Sequence, residues 1–166
     1  SSFVIYVSAD SRYRLWVNDT PIGRGPLKGT LDHYHYEAYD LAPYLEVGEN
    51  VIAAEVRWFG EHAPRSQVHG DRPGFLFQGP LVCELDTPGS WKVQVDRSVS
   101  ADADPFLGYW EHIDASRVPR GWRGIGFDDA AWEQAVDVGS AAAAEQWGES
   151  ASLRQTLCPR EVPMMI

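Results

Sequence analysis

Residues 51–59 read Val-Ile-Ala-Ala-Glu-Val-Arg-Trp-Phe, and this stretch decides the fold class. Its side chains alternate with a period of two, which is the pattern of a β-strand with one face toward a core. One face carries Ile52, Ala54, Val56 and Trp58, and the other carries Val51, Ala53, Glu55 and Arg57. The stretch therefore predicts a half-buried strand.

The rest of the chain repeats this kind of segment. Short apolar or alternating runs predict strands at residues 3–8, 13–17, 33–40, 75–78, 81–85, 91–95, 109–113 and 153–157. Turn residues, among them Asn18, Asp19, Pro21 and Gly23, separate these runs. Residues 41–45 predict a helical turn, residues 98–105 a surface loop, and residues 127–135 a turn anchored by Trp132. The pattern predicts an all-β fold, an antiparallel β-sandwich of jelly-roll type, in one domain over residues 1–166.

Composition and charge exclude some classes of protein. The formal net charge of −10 disfavours nucleic acid as a partner, because an acidic surface repels phosphate backbones. No run of about 20 apolar residues predicts a membrane span. Cys83 and Cys158 lie far apart and predict free thiols, with no zinc-type spacing. Both ends look cut, which predicts a piece of a longer protein and leaves localisation open.

Several blocks, taken in order, resemble the N-terminal domains of bacterial α-L-rhamnosidases. The first is Arg12-Tyr13-Arg14-Leu15-Trp16-Val17-Asn18-Asp19 followed by Ile22-Gly23. The others are Tyr39-Asp40-Leu41 with Leu45, Gly48, Asn50, Val51 and Ile52; Ser90-Trp91-Lys92; Tyr109 to Ala115; Gly121-Trp122; and Phe127-Asp128-Asp129-Ala130-Ala131-Trp132. The resemblance implies a galactose-binding-like jelly roll that precedes a catalytic domain in a glycoside hydrolase. It also implies that a structural calcium ion is the one cofactor to consider, and we expect weak calcium binding at most.

Two places have the composition of a sugar site, in which an aromatic ring stacks on a pyranose and polar groups bond its hydroxyls. The first is Arg57 and Trp58 with His62, at the start of a long polar loop over residues 60–73. The second is Trp110 with Glu111. A core position is the alternative for either indole. Trp16, Trp91, Trp122 and Trp132 are assigned to the core.

Other titratable residues have simpler explanations. Asp128 and Asp129 predict a turn before Trp132. Glu111 and Asp114 make a poor catalytic pair, because the family resemblance implies that their motif belongs to the accessory domain. His33 and His35 share a strand face that we expect to be solvated.

Three functions follow as hypotheses. The first is a non-catalytic carbohydrate-binding accessory module, with rhamnose- or galactose-containing glycans as ligands. The second is a structural domain that buttresses the catalytic domain of the same parent chain. The third, and weakest, is a small independent glycosidase. A binding module should expose an aromatic ring among polar groups, whereas a buttress should expose a broad apolar patch.

Overall fold

The computed structural model describes residues 2–31, 33–60, 63, 70, 72–80, 84–104, 108–139 and 157–163. Within them the secondary structure is almost entirely β, which confirms the predicted class. The strands are β1 Val4–Asp10, β2 Arg12–Val17, β3 Thr20–Gly25, β4 Tyr34–Asp40, β5 Ile52–Arg57, β6 Gly74–Gln78, β7 Lys92–Val93, β8 Val99–Asp104, β9 Gly108–Ile113, β10 Glu133–Gln134 and β11 Leu157–Pro159. The predicted helical turn is a single 3₁₀ turn over Ala42–Tyr44. No helix in these ranges has the length and apolar character needed to cross a membrane.

Two sheets face each other across the core. One has the order β11-β4-β1-β6 and the other the order β3-β2-β5. Every pairing in them is antiparallel except that of β11 with β4, which is parallel. Alternate residues of β1 and β2 meet between the sheets, together with one residue from the 3₁₀ turn region and one from β6. They are Ile5, Val7, Ala9, Tyr13, Leu15, Val17, Leu41 and Phe77. The predicted β-sandwich is confirmed.

Two smaller ribbons complete the described structure. β7 pairs with β10, and β8 pairs with β9 in a longer hairpin. Trp91, just before β7, packs on the core through Phe77, with ring centroids 5.2 Å apart. The indole N–H of Trp91 donates to the carbonyl of Leu85 at 2.6 Å. The β7–β10 ribbon is therefore attached to the sandwich through an aromatic contact.

The faces of β5 follow the predicted alternation. Ala54 and Ile52 pack against the core, and the register pairs Glu55 and Arg57 with Arg14 and Arg12 on the outer face. The alternation places Val56 on the inner face, where 37% of its surface is exposed. The inner face is thus incompletely covered at the end of β5 that leads to Trp58.

The turn at Asn18 and Asp19 is confirmed. Both residues have left-handed backbone conformations, with φ of 49° and 63°. The Asn18 amide donates to Asn50 Oδ1 at 2.9 Å and accepts from the Val51 backbone N–H at 2.9 Å. The side chain of Asn18 therefore joins this hairpin to the start of β5.

Three segments predicted as turn or loop contain strands, and the shortest of these strands is β10, within the predicted turn over residues 127–135. Pro21 and Gly23 lie within β3, because this segment pairs with β2. Gly23 and Gly25 leave room for side chains from β4 to approach the backbone of β3. A Cβ at Gly25 would overlap the carboxylate of Glu37. The segment predicted as a surface loop over residues 98–105 forms β8, because pairing with β9 satisfies its backbone regardless of side-chain propensity.

Some predictions fall partly outside the described residues. In the predicted strand 81–85, residues 81–83 are not described, and Glu84 and Leu85 lie in a turn rather than a strand. In the predicted strand 153–157, residues 153–156 are not described, and β11 begins at Leu157. Cys83 and His62 also lie outside the described ranges.

Candidate functional site

Trp58 is held at the end of β5 by Ser11, which is fully buried. The Ser11 N–H donates to the Arg57 carbonyl at 2.9 Å, and the Phe59 N–H donates to Ser11 Oγ at 3.3 Å. Both neighbours of Trp58 are therefore fixed by one buried residue. The indole itself is 39% exposed and lies over Gly60, where a Cβ would contact the ring. Trp58, for which the sequence left a core position as the alternative, is therefore partly exposed.

Arg57 and Glu111 form an ion pair that links β5 to the β8–β9 hairpin. Arg57 Nη1 lies 2.7 Å from Glu111 Oε1, and Arg57 Nη2 lies 3.1 Å from Glu55 Oε1. Glu111 Oε1 is buried, and the N–H directions of the guanidinium do not align with it as a hydrogen bond. The contact is therefore mainly electrostatic, and both charges are partly withdrawn from water.

The outer surface of the hairpin carries a polar and aromatic patch that we call the Trp110 face. It consists of Trp110, Asp102 and His112. Trp110 is directly opposite Asp102 in the register, and His112 Nε2 lies 3.1 Å from Asp102 Oδ2. All three side chains are exposed, Trp110 to 45%. An indole beside a carboxylate and an imidazole can stack on a sugar and bond its hydroxyls.

The predicted residues therefore divide between different surfaces. Trp110 and Glu111 are neighbours on a strand, so their side chains leave opposite faces of the hairpin. Glu111 supports the hairpin through Arg57, while Trp110 faces solvent. Asp102 was not predicted as a site residue, because residues 98–105 were predicted to form a surface loop. Its place opposite Trp110 depends on the pairing of β8 with β9, which no local pattern reveals.

The long loop after Trp58 is described only in part. The buried carboxylate of Asp10 accepts a hydrogen bond from the backbone N–H of Gly70 and another from Ser11 Oγ. The loop is thus anchored to the end of β1, beside the residue that holds Trp58. The position of His62 relative to Trp58 stays a prediction.

The carboxylates considered for catalysis hold local structure. Asp128 Oδ1 accepts from the Ala130 N–H at 3.0 Å, which confirms its predicted role in a turn. Asp129 pairs with Lys92 Nζ at 2.6 Å. Asp114 Oδ1 accepts from both the N–H and the hydroxyl of Ser116, at 3.0 and 2.6 Å.

His33, just before β4, and His35, within it, differ in setting. His33 is exposed, whereas His35 Nδ1 lies 3.5 Å from Cys158 Sγ and 3.3 Å from the carbonyl of Pro159. Burial, and then the carboxylate of Glu161, raise the pKa of the Cys158 thiol, so the sulfur stays protonated. The described residues contain no group of three or more His, Cys, Asp and Glu side chains that could hold a metal ion.

The remaining tryptophans pack inward or against one another. Trp16 is 7% exposed, and its ring meets that of Trp122 at a centroid distance of 5.6 Å. Arg123 lies 5.0 Å above the Trp16 ring and pairs with Asp19 at 2.9 Å. Trp132 contacts Trp122 in turn. Trp16 is therefore buried, as predicted, and Trp122 and Trp132 are half-buried. The three indoles cluster on the outer face of β2, apart from the central cluster between the sheets.

A wide apolar cleft opens between the uncovered inner face of β5 and the two ribbons, with a volume of about 1740 Å³. Exposed valines line it, among them Val56, Val93, Val95 and Val136, exposed to 37, 50, 69 and 75%. Monomeric proteins rarely expose apolar surface of this extent without a partner.

Comparison with known proteins gives one consistent family. Residues 1–156 match the model described as alpha-L-rhamnosidase N-terminal domain. An alpha-L-rhamnosidase of Streptomyces avermitilis is 30% identical over 142 residues, covering 77% of this chain and 13% of that protein. The crystal structure of the same organism's alpha-L-rhamnosidase complexed with L-rhamnose matches with a TM-score of 0.60 and 29% identity. That match covers 80% of this chain and 14% of the solved one.

Two further solved structures support the fold alone. The GH78 rhamnosidase of Bacillus sp. GL1 has a TM-score of 0.74 at 24% identity, covering 98% of this chain and 17% of that one. The alpha-L-rhamnosidase of Dictyoglumus thermophilum has a TM-score of 0.67 at 19% identity, with the same two coverages. This chain thus spans between 13% and 17% of the length of these relatives.

Proposed function

The chain belongs to the family of α-L-rhamnosidase N-terminal domains, and from this membership we propose that it is a carbohydrate-binding accessory module of a glycoside hydrolase. In this proposal the whole chain is a single domain with the galactose-binding-like form of the jelly roll. The parent enzyme acts on rhamnose-containing glycans, and this module has no catalytic role of its own.

The Trp110 face is the observation that carries the proposal. An indole that is 45% exposed on a paired strand loses little conformational freedom when it binds a ligand, because the hairpin already fixes its backbone. Asp102 and His112 lie on the same face and supply an acceptor and a donor or acceptor for sugar hydroxyls. Trp58, held by Ser11 beside the polar loop, provides a second stacking surface.

Binding should be weak. Each hydrogen bond to a sugar hydroxyl replaces one to water, and a single stacked ring buries little area. We expect dissociation constants on the order of tens of micromolar to millimolar for rhamnose or galactose units.

Calorimetric titration of the folded chain with L-rhamnose, galactose and short oligosaccharides containing them tests the proposal. Trp110→Ala should weaken binding by about tenfold, since stacking is lost. Tyr44→Ala is the matched control, because Tyr44 is similarly exposed, at 40%, but lies on the 3₁₀ turn outside both candidate places. Equal affinities of the Trp110→Ala variant and the parent would refute the Trp110 face as the site.

The absence of catalysis is tested separately. The isolated chain should not hydrolyse aryl α-L-rhamnosides, because the proposal assigns hydrolysis to another part of the parent enzyme. Hydrolysis that is abolished by Glu111→Gln would replace this proposal with the independent glycosidase.

The apolar cleft favours a second function, that of a buttress. Its exposed valines are the kind of surface that a neighbouring domain covers, and the relatives contain long stretches of chain beyond the matched region. In this proposal the catalytic domain of the parent chain packs on the cleft.

A charge in the cleft tests this second function. Val136→Asp in the full-length protein should lower the melting temperature by several degrees, about 2–4 °C for each kcal/mol lost. Val47→Asp is the control, since Val47 is fully exposed and lies outside the cleft. If the two variants melt alike, the cleft is not a docking surface.

A further inference from the structure

Positive charge gathers at one place on this acidic protein. A cavity of about 460 Å³ lies on the outer face of the sheet β3-β2-β5. Six of the 14 lysines and arginines in the chain line it, although the net charge of the whole is −10. They are Arg12, Arg14, Arg24, Lys28, Arg57 and Arg160. We call this the arginine cavity.

Its floor is built from like charges placed opposite each other. Arg14 is directly across from Arg24 on β3, and Arg12 is directly across from Arg57 on β5. Directly opposed like charges on a sheet destabilise it. Glu55 lies directly across from Arg14 on β5 but is ion-paired with Arg57, which also pairs with Glu111. An anionic ligand between Arg14 and Arg24 would therefore remove the repulsion between these two guanidinium groups.

The two central arginines are available to such a ligand. Arg14 and Arg24 are exposed, and among the described residues no carboxylate lies within ion-pairing distance of either. Arg160 at the edge is paired with the buried Glu37 at 3.4 Å. The guanidinium of Arg12 donates to the carbonyl of Pro26 at 2.9 Å, which fixes the wall beside the floor.

We propose that the arginine cavity binds the carboxylate of an acidic sugar, a uronic acid unit within an oligosaccharide. Two neighbouring guanidinium groups can receive a planar carboxylate by paired hydrogen bonds. Phe59 in the wall offers an apolar surface to the ring, and Glu55 can accept from a hydroxyl. The cavity volume is in the range of small-ligand sites. The sugar nature of the ligand rests on the proposed carbohydrate-binding function; the site and its anion selectivity do not.

Titration of the full-length protein with a galacturonic acid disaccharide tests the proposal. The neutral galactose disaccharide, in which each carboxylate is a hydroxymethyl group, is the first comparison, and inorganic phosphate is the second. The acidic disaccharide should bind at least about tenfold more tightly than either, and its affinity should fall as salt is raised. Equal affinity for the neutral disaccharide would overturn the proposal, and equal affinity for phosphate would overturn the assignment to a sugar.

Variants locate the site. Arg14→Gln combined with Arg24→Gln should weaken binding of the acidic disaccharide about tenfold or more, and the two lysine replacements should restore part of it. The glutamine variant should melt at the same or a higher temperature, because a repulsive pair has been removed. Arg117→Gln, at an exposed arginine outside the cavity, is the matched control and should bind as the parent does.

Two further outcomes separate this proposal from the others. If Trp110→Ala abolishes binding of neutral sugars but leaves the acidic disaccharide bound, the two sites are independent, as proposed. If the isolated chain binds the acidic disaccharide and the full-length protein does not, an acidic segment of the parent chain fills the cavity, and the sugar proposal is overturned.

Discussion

At the scale of single residues, Glu37 shows how separate segments of this sandwich are held together. Its carboxylate is 3% exposed and accepts hydrogen bonds from the Tyr13 hydroxyl and the Leu27 N–H, both at 2.8 Å. Arg160 supplies the counter-charge from the segment after β11. Glycine at position 25 leaves the space that the carboxylate occupies. One buried charge thus connects β2, β4, the segment after β3 and the segment after β11.

Removing that charge should destabilise the fold. Glu37→Gln keeps the shape but replaces one acceptor oxygen with a donor amide that faces donors, so we expect a loss of about 2–4 kcal/mol in the free energy of unfolding. Glu49→Gln, at an exposed position, should change it by less than about 0.5 kcal/mol. Denaturant titration of both variants measures the difference. Equal midpoints would show that Glu37 does not join these segments.

At the scale of elements, the β8–β9 hairpin is the part that carries the proposed sugar face. The ion pair between Glu111 and Arg57 attaches it to β5, and the Asp114 N–H donates to the buried Ser98 carbonyl at 2.8 Å at its base. The position of Trp110 therefore depends on a contact made on the opposite side of the strand.

Glu111→Gln should loosen the hairpin without unfolding the sandwich. The pair is partly exposed, with 32% and 20% of the side chains accessible, so we expect a loss of about 1–2 kcal/mol. Amide hydrogen exchange should quicken in β8 and β9 and stay unchanged in β1 and β2. Uniform quickening throughout the sheets would contradict a local role for Glu111.

The elements also show what the sequence predicts and what it does not. Strands such as β5 and β1 were predictable, because apolar alternation and a short run of apolar β-forming residues are both local patterns. β3 and β8 were not, because glycine, proline, serine and aspartate have low strand propensity and pairing with a neighbour decides their structure.

The candidate sites, like the strands, could be predicted only as far as a local pattern in the sequence marks them. Trp58 and Trp110 could be chosen as candidate sugar-binding residues from the residue types around them. The exposed fraction of each indole depends on the tertiary structure at the ends of the strands, which the sequence pattern does not show. Alternate arginines at positions 12 and 14 are visible in the sequence. Their meeting with Arg24 and Arg57 requires the strand register, so the arginine cavity could not be predicted without it.

At the scale of the whole molecule, three tyrosines make stability depend on alkaline pH. Burial raises the pKa of Tyr39 from 10.0 to about 12, with a further contribution from Glu37. Burial, the neighbouring Tyr39 and then Glu37 raise the pKa of Tyr13 far above its usual range, and burial raises that of Tyr34. All three stay protonated in the folded state at a pH where the unfolded chain ionises them.

The sign of the effect follows from linkage. Because these folded-state pKa values are raised, the stabilisation is complete below pH 10 and falls as the pH rises above it, and the part due to Tyr39 is lost as the pH rises through about 12. The free energy of unfolding should therefore fall between pH 10 and pH 12, and Tyr39→Phe should flatten the fall. Chemical denaturation at a series of alkaline pH values measures this. A free energy that stays constant over the interval would show that these hydroxyls ionise without penalty.

The carbohydrate-binding proposal requires that this domain bind sugar through its exposed indoles, Trp110 above all. The most direct measurement is a titration with L-rhamnose and galactose oligosaccharides in which the seven indole N–H signals are followed by NMR. We expect the indole N–H signal of Trp110 to shift, that of Trp58 to shift less, and that of the buried Trp16 to stay unchanged. If no indole signal moves with any sugar, or if Trp16 moves and Trp110 does not, the carbohydrate-binding account is wrong.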